Sequence, residues 1–385
     1  MLIISALFVL MRRGLSWSGV IRRNPWLWLF YAFLLVSVLW SDYPFVAFKR
    51  WFRDFGNLVI ILLVLSEENP GEAVRQVFLR CAYVLIPISV LFIKYYLDLG
   101  RYYNEWTGET GFCGVTSDKN ALGRLAMLSG FIILWSLLVR QRSGWLKWVK
   151  EGLPELLILA MCLWILHIAN SQTAVGCFVI GTAVLLGTRM NWVRVNPVRL
   201  AWLSWTLLVI SFLFFYLPDL RQVVTSSMGR NVNLTDRTDV WAETLAVGTN
   251  PLIGTGFASF WLTSAGHALG ERLNVTEAHN GFLEIYLNEG LIGIGLLLPV
   301  LLAAGRSTLK QIVAGNAAAS LVAALFFSGI VYNYTEAAFG NGSVVAFALW
   351  LVAMQDSEHA VAEVPEESGQ TEPYPASETK LGACR

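Results

Sequence analysis

The side chains best suited to chemistry lie in one polar stretch, residues 218–280, between strongly apolar segments. Its arginines and histidines are Arg221, Arg230, Arg237, Arg272, His267 and His279. Arginine binds phosphate and carboxylate groups with a planar, bidentate fork, and histidine exchanges a proton near neutral pH. A long hydrophilic loop with these groups between membrane helices indicates a surface that acts on an anionic, membrane-anchored substrate.

Arg237 lies at the start of a predicted short surface helix that runs to Val247. Thr235 or Asp236 is a suitable N-cap for this helix. A cation in the first turn opposes the helix dipole, whereas the unpaired N–H groups there attract anions. Anion binding therefore explains Arg237 better than helix stability does, with a solvated surface arginine as the alternative.

His279 directly precedes an apolar helix that carries Asn280, Glu284 and Asn288 at intervals of four residues. This spacing places the three polar side chains on one helix face, and polar groups in an apolar span usually face a cavity or a partner helix. His279 lies at the mouth of this polar stripe and is suited to act as a general base. The alternative is an interfacial histidine that caps the helix.

The sequence contains neither a phosphate-binding P-loop nor a cysteine motif of the kind that binds metal. Gly254 and Gly256 predict a tight turn or a close backbone approach, but their segment lacks the Gly-Lys-Ser/Thr ending of a phosphate-binding P-loop. The five cysteines have no CxxC or zinc-type spacing, so we interpret them as packing residues rather than a disulfide framework or a metal site. No cofactor is predicted. The net charge of +1 is spread over short loops, so nucleic acid is not an expected partner.

The composition is that of a membrane protein. Of the 385 residues, 56% are hydrophobic and only 14% are charged, against about 25% charged in soluble domains. A membrane helix needs about 20 apolar residues, which predicts an all-α polytopic integral membrane protein with about eleven transmembrane helices. The predicted spans are 1–11, 24–40, 55–66, 77–97, 121–139, 153–170, 173–188, 200–217, 281–304, 314–333 and 339–354.

These predicted spans divide the chain into four regions. Transmembrane helices with short loops occupy 1–217, a catalytic loop occupies 218–280, further transmembrane helices occupy 281–354, and 355–385 is a disordered tail rich in Glu, Pro, Ser and Thr. Basic residues accumulate on alternate connections, which predicts that these connections and the tail are cytoplasmic. The 218–280 loop then faces outward, into the periplasm of a Gram-negative cell.

Some basic residues lie on outer connections, against this orientation bias. They include Lys49, Arg50, Lys119 and Arg124. Two explanations stay open at this point. These side chains extend from helix ends toward water, or they converge with the loop arginines to hold a phosphate or diphosphate group.

Several short motifs resemble the O-antigen ligase and polymerase superfamily. In the polar stretch they are Leu234-Thr235-x-Arg237-Thr238-x-x-Trp241, Asn250-Pro251-Leu252-Ile253-Gly254-x-Gly256-Phe257, His279-Asn280-x-x-Leu283-Glu284 and Glu289-Gly290-Leu291-Ile292-Gly293. The exopolysaccharide-polymerase branch looks closest, on the motifs Trp40-Ser41-Asp42-Tyr43-Pro44 with Lys49-Arg50, and Lys119-Asn120-x-Leu122-Gly123.

The resemblance implies a GT-C-like membrane glycosyltransferase of the bacterial inner membrane. Such an enzyme moves a glycan from a polyprenyl (undecaprenyl) diphosphate carrier to an acceptor sugar hydroxyl on the outer face, in polysaccharide polymerisation or O-antigen-type ligation. It uses neither a metal nor a nucleotide sugar. The implied partners are the lipid-linked donor, an acceptor glycan or lipid A core, membrane lipid, and other polysaccharide-export or chain-length proteins.

The resemblance also assigns roles to residues. It implies that His279 deprotonates the acceptor hydroxyl and that Arg237 binds the diphosphate and stabilises its growing charge. The remaining candidates for substrate binding are Arg230, Lys49, Arg50, Lys119, Arg124, Asn280 and Glu284.

Two other classes of protein compete with this interpretation. A multi-pass transporter or flippase of lipid-linked glycans predicts broken helices at the midplane, carboxylates deep in the membrane and internal repeats. In the sequence, Glu284, Glu289 and Glu336 lie toward helix ends and no convincing repeat is present. A structural protein for polysaccharide export needs no Arg237–His279 pair. The enzyme interpretation predicts that these two side chains meet near one outer cavity.

Overall fold

The structure is a computed structural model that describes residues 2–13, 16–103, 110–140, 145–190, 235–340 and 342–355, with the single residues 108, 193, 196, 199 and 206. Apart from residue 206, the predicted span 200–217 lies outside the described residues, as do Arg230 and the tail beyond Gln355.

The described chain is mainly helical. Its first helices are α1 (Leu2–Arg12), α2 (Trp17–Arg23), α3 (Pro25–Ser37), α4 (Pro44–Leu65), α5 (Pro70–Tyr95), α6 (Leu97–Gly100), α7 (Lys119–Val139), α8 (Trp145–Ala169) and α9 (Gln172–Gly187). The later helices are α10 (Thr235–Ala246), α11 (Ser264–Leu273), α12 (Gly281–Val313), α13 (Ala319–Thr335) and α14 (Val344–Met354).

Every predicted apolar span within the described residues overlaps one of these helices. Four of them (α5, α7, α8 and α12) contain a stretch long and apolar enough to cross a bilayer, and α1 with α2 makes a fifth if the bent pair is one span. Four further helices (α3, α9, α13 and α14) are apolar but shorter. The chain is therefore a polytopic, mainly helical membrane protein, and within the described residues this criterion finds fewer spans than the eleven predicted for the whole chain.

Apolar side chains cover the outside of the bundle as well as its core. Trp350 and Tyr332 are among the largest fully buried side chains. Leu39 and Phe45 are 82% and 79% exposed. Large exposed apolar surface of this kind needs a cover, and the acyl chains of a bilayer provide one for a polytopic protein.

One small β-hairpin departs from the all-α prediction. Strand β1 (Arg101–Tyr103) pairs antiparallel with strand β2 (Thr110–Phe112), and Tyr102 lies opposite Gly111. Aromatic residues and threonine favour extended structure. Strands of three residues are too short to show the alternation that identifies a strand in a sequence, so the prediction is wrong at this connection.

The start of α12, the end of α13 and helix α10 meet at one end of the bundle. The Gly281 amide donates to the carbonyl oxygen of Glu336 at 3.1 Å, and a Cβ on Gly281 would lie 2.3 Å from Asn333 Oδ1. The Trp241 indole N–H of α10 donates to the carbonyl oxygen of Ala278 at 2.8 Å. These contacts fix three separate parts of the sequence around one point.

Helix α12 is broken at Gly290, where φ is 65° and ψ is −163°. The segment 251–256 fills the break. Its amides donate to the carbonyl groups of Leu287 and Asn288 at 3.1 and 2.8 Å, and two amides beyond the break donate back to the segment at 2.8 and 3.1 Å. A Cβ on Gly290 would lie 2.3 Å from the backbone of Leu252. Only glycine therefore fits at the break.

The close backbone approach predicted for the glycines of this segment is confirmed. Gly254 has a φ of 61°, and a Cβ there would lie 2.4 Å from the backbone of Asn288. Because the segment supplies hydrogen bonds that the broken helix lacks, α12 bends without leaving these backbone groups unpaired.

Candidate active site

One buried carboxylate joins the two residues that the sequence singles out. Glu336 directly follows α13 and is only 1% exposed. Arg237 donates from Nη2 to Glu336 Oε1 at 2.7 Å, and His279 Nδ1 lies 3.0 Å from Glu336 Oε2. Arg237 also donates from Nη1 to the carbonyl oxygen of Thr335. The structure thus brings Arg237 and His279 together on opposite oxygens of the same carboxylate.

The turn before α12 gives His279 its position. Asn280 is the N-cap of the helix, and its Oδ1 accepts hydrogen bonds from the amides of Phe282 and Leu283 at 3.0 and 3.1 Å. His279 has a φ of 49°, a left-handed conformation that is uncommon for a residue with a side chain. Such conformations persist where the surroundings enforce them, and they concentrate at functional sites.

A second carboxylate contacts the same imidazole. Glu277 Oε1 lies 3.2 Å from His279 Nδ1. Burial alone lowers the pKa of His279, but its hydrogen bonds with Glu277 and Glu336 outweigh this effect and raise the pKa to about 9. For Glu336, burial raises the pKa, whereas the hydrogen bond from His279 and the charge of Arg237 lower it, and the net shift is downward. His279 is therefore mainly an imidazolium at neutral pH.

The resulting cluster of two cations and two carboxylates is electrically balanced. Its donor atoms on Glu277, His279 and Glu336 lie within 4.8 Å of one another, and two carboxylates with one imidazole are a donor set that divalent transition metals accept. Arg237 occupies one oxygen of Glu336, however, and places a positive charge beside any such ion. The contacts in the structure favour an ion-paired centre over a metal centre.

Of the other predicted basic residues, Arg124 is the one that contacts a residue close to this cluster. Its guanidinium carbon is 6.0 Å from the ring centroid of Tyr332, in the last turn of α13 before Glu336. Within the described residues, Arg124 has no carboxylate partner. Tyr332 is fully buried, and its hydroxyl group has no hydrogen-bond partner there either.

The remaining predicted basic residues are farther from the cluster or bound elsewhere. Arg50 donates from Nη1 to the carbonyl oxygen of Ala258. Lys49 and Lys119 are exposed near the starts of α4 and α7. Arg230 lies outside the described residues.

The predicted polar stripe on α12 holds neighbouring loops. Glu284 Oε1 accepts from the Trp261 indole N–H and from the Ala278 amide, both at 2.7 Å. Asn288 Oδ1 accepts from the Ser259 amide at 2.7 Å. The side chains of Asn280 and Glu284 are thus engaged within the protein, and the carboxylates that contact His279 are Glu277 and Glu336. A role of Asn280 and Glu284 in substrate binding stays a prediction.

Sequence reasoning missed the two carboxylates of the site. One sequence feature could have identified Glu336 as a site residue, because this glutamate stands at the end of an apolar helix on the predicted outer side. Glu277 stands two residues before His279 in the same motif. The pairing itself joins residues 57 and 99 positions apart along the chain, which no local pattern reveals.

The fold and the site define the chain as a polytopic helical membrane protein with an ion-paired Arg–Glu–His centre. The O-antigen ligase family matches residues 156–298. This range includes Arg237 and His279 and ends before Glu336.

The exopolysaccharide production protein ExoQ of Rhizobium meliloti (strain 1021) is 26% identical over 305 residues. The match covers 74% of this chain and 66% of that protein, slightly less than two thirds of its length. Together, the two matches confirm the predicted relationship to the O-antigen ligase and polymerase superfamily.

Proposed function

We propose that this chain is a glycosyltransferase of the bacterial inner membrane. It transfers a glycan from a polyprenyl (undecaprenyl) diphosphate carrier to a sugar hydroxyl of an acceptor on the outer face. The observation that carries the proposal is the convergence of Arg237 and His279 on the buried carboxylate of Glu336. The relationship to ligases and polymerases supports the same reaction class.

In the proposed reaction, His279 is the base. Its Nδ1 is held by Glu336 and Glu277, so Nε2 is the ring atom left to accept the proton of the acceptor hydroxyl. The hydroxyl oxygen then bonds to the anomeric carbon of the donor sugar, and the bond from that carbon to the diphosphate oxygen breaks. The electron pair leaves with the diphosphate, and the proton stays on the imidazole until solvent removes it.

Arg237 stabilises the leaving diphosphate in this scheme. A guanidinium has five N–H donors, and the described contacts use two of its nitrogens, on Thr335 and Glu336. The remaining donors are available to a phosphate oxygen. Preorganised donors of this type are worth about 3–4 kcal/mol each in the transition state. Arg124 completes the anion clamp, with Lys49, Arg50, Lys119 and Arg230 as further candidates.

The high pKa of His279 sets a condition on this mechanism. With a pKa of about 9, only about 1% of the imidazole is neutral at pH 7. The resting centre must therefore lose a proton before His279 acts as a base. The same carboxylates that hold the proton also strengthen the imidazole as an acceptor once it is neutral.

The similar protein also bears on the product. The name of ExoQ refers to exopolysaccharide production, which supports chain polymerisation rather than capping of a lipid A core. The reaction as proposed needs no metal. It takes place on a periplasmic loop, with the tail in the cytoplasm and with export or chain-length proteins as partners.

A transporter or flippase is not favoured by the comparisons. The break in α12 is one feature that this alternative predicts, and Glu289 beside it is buried. The segment 251–256 fills this break with backbone hydrogen bonds, however, so the break is occupied by the protein itself.

Two variants of the purified, reconstituted protein test the proposal with a lipid-diphosphate-linked glycan as donor. His279→Ala should lower turnover about 100- to 10,000-fold. Arg237→Lys should lower it at least about 100-fold, because an ammonium group lacks the planar fork. The matched controls are His267→Ala and Arg272→Lys, since both residues are exposed on the same region and, among the described residues, form ion pairs with Glu271 and Glu243 and not with the candidate site. Equal activity in the variants and their controls would refute the assigned roles.

A leaflet assay separates the enzyme from the transporter in cells. A strain with His279→Ala should accumulate the lipid-linked donor on the outer leaflet, because transport continues and transfer stops. A flippase variant would instead retain the donor on the inner leaflet. Protein level and membrane insertion serve as controls in the same strain.

A further inference from the structure

A polar cavity lies at the end of the bundle opposite to the candidate active site. Helix α13 has the active-site cluster just after its last residue and this cavity at its first residues. The cavity has a volume of about 270 Å³, room for several waters of about 30 Å³ each. It is formed by the ends of α7, α9 and α12, the turn 315–317, and the start of α13.

The groups that face this cavity suit an anion. Arg189 lines it and forms no ion pair within the described residues, and none of the described lining residues is acidic. Ser320 also lines it, is 7% exposed, and its hydroxyl has no partner in the described part of the chain. A hydroxyl that opens into a cavity of an otherwise buried residue is available to bind a ligand or water there.

The start of α13 adds backbone donors. Its N-cap residue, Ala318, has no side chain that can accept a hydrogen bond, and the first turn has no acidic residue. Asn316 accepts hydrogen bonds from the amides of Ala318 and Ala319, but within the described residues the amide of Ser320 has no partner. Unpaired first-turn amides and the helix dipole favour a negative charge at this place.

The geometry points to a binding site for a phosphate group in this cavity, held by the Arg189 guanidinium, the Ser320 hydroxyl and the N-terminal amides of α13. The phosphate belongs either to the headgroup of an anionic phospholipid, whose acyl chains stay beside the bundle, or to a soluble phosphate. This site is separate from the proposed transfer reaction and does not depend on it.

The test uses the full chain in nanodiscs of phosphatidylcholine, with and without phosphatidylglycerol. Native mass spectrometry counts the retained phosphatidylglycerol, and thermal unfolding follows a titration with inorganic phosphate. Arg189→Gln should weaken binding at least about tenfold, the scale of a lost charge-assisted hydrogen bond. Ser320→Asp should abolish binding because it puts a negative charge into the cavity. Ser320→Ala keeps the volume small and should weaken binding more mildly.

Arg306→Gln is the matched control, since Arg306 is an exposed arginine near the same end of α12 that does not line the cavity. Retention of phosphatidylglycerol that depends on Arg189 and not on Arg306 supports a lipid headgroup. A shift with inorganic phosphate alone, with the same dependence, supports a soluble phosphate. Equal behaviour of Arg189→Gln and Arg306→Gln, or no binding of either anion by the unaltered protein, would overturn the inference.

Discussion

Replacing Glu336 by glutamine tests the centre of the proposed site most directly. The substitution keeps the size of the side chain and removes its charge. Arg237 has only donors, so the amide oxygen of the new side chain must face Arg237. The amide NH₂ group then faces His279 Nδ1 and requires it to accept a hydrogen bond. The imidazole proton is thereby placed on Nε2, the atom that must be free to act as a base.

The magnitude has two parts. A hydrogen bond between charged groups is worth about 1.5–3 kcal/mol, and about 1.4 kcal/mol corresponds to one pKa unit. The pKa of His279 should therefore fall by about one to two units from its value of about 9. More neutral imidazole at pH 7 would by itself increase the rate, but the misplaced proton removes the base. We expect kcat to fall about 100- to 10,000-fold, with little change in the KM for the acceptor.

The assay is single-turnover glycan transfer by the reconstituted protein across a series of pH values. Glu277→Gln is the matched control, because Glu277 is partly exposed and no arginine of the described residues pairs with it. The new amide at position 277 is free to turn its oxygen toward His279 Nδ1. The expected loss of transfer activity is therefore less than about tenfold. If Glu336→Gln loses no more activity than Glu277→Gln, the base assignment and the positioning role of Glu336 are both wrong.

Three further outcomes are expected. Turnover of the unaltered protein should rise with pH up to about 9, because His279 must be deprotonated to act as a base; a rate that falls over this range would assign the imidazolium to diphosphate binding instead. Chelation of divalent cations should leave turnover unchanged; a loss that Mn²⁺ or Zn²⁺ restores would make the cluster a metal site. Gly290→Ala should lower the thermal unfolding midpoint, because the new Cβ would lie 2.3 Å from Leu252 in a conformation that only glycine adopts. Gly295→Ala on the same helix meets nothing within 4 Å and should be neutral or stabilising by up to about 1 kcal/mol; equal effects of the two would contradict the account of the break.

Apolar length was enough to predict the positions of the apolar helices. Residues 77–97 and 121–139 overlap α5 and α7, because a run of apolar residues between polar loops has few alternatives in a membrane, although α5 begins seven residues earlier, at Pro70. The surface helix around Arg237 was predicted as well, and it runs from Thr235 to Ala246. These features depend on neighbours within one or two helical turns.

The features that the sequence did not reveal depend on contacts between distant segments. The break in α12 exists because the segment 251–256 supplies its hydrogen bonds, and Glu289-Gly290-Leu291 alone resembles a continuous helix. Glu336 joins the site because α13 returns antiparallel to α12. In the same way, Glu284 has the spacing of a cavity-facing residue, yet its carboxylate holds the Trp261 side chain.

The unequal lengths of α12 and α13 fix how deep the reacting groups lie. Helix α13 has 17 residues, about 26 Å at about 1.5 Å per residue, whereas α12 has 33. Because the two helices meet at Gly281 and Glu336 and five residues join them at their other ends, α12 cannot run straight beside α13 for its whole length, and the break at Gly290 is one place where its direction changes. A hydrocarbon core is about 30 Å thick, so if α13 crosses most of it, the centre at its end lies near one boundary of the core. In the proposed reaction, the diphosphate of a membrane-embedded carrier would meet the centre at this boundary, and the donor lipid would not have to be lifted out of the bilayer.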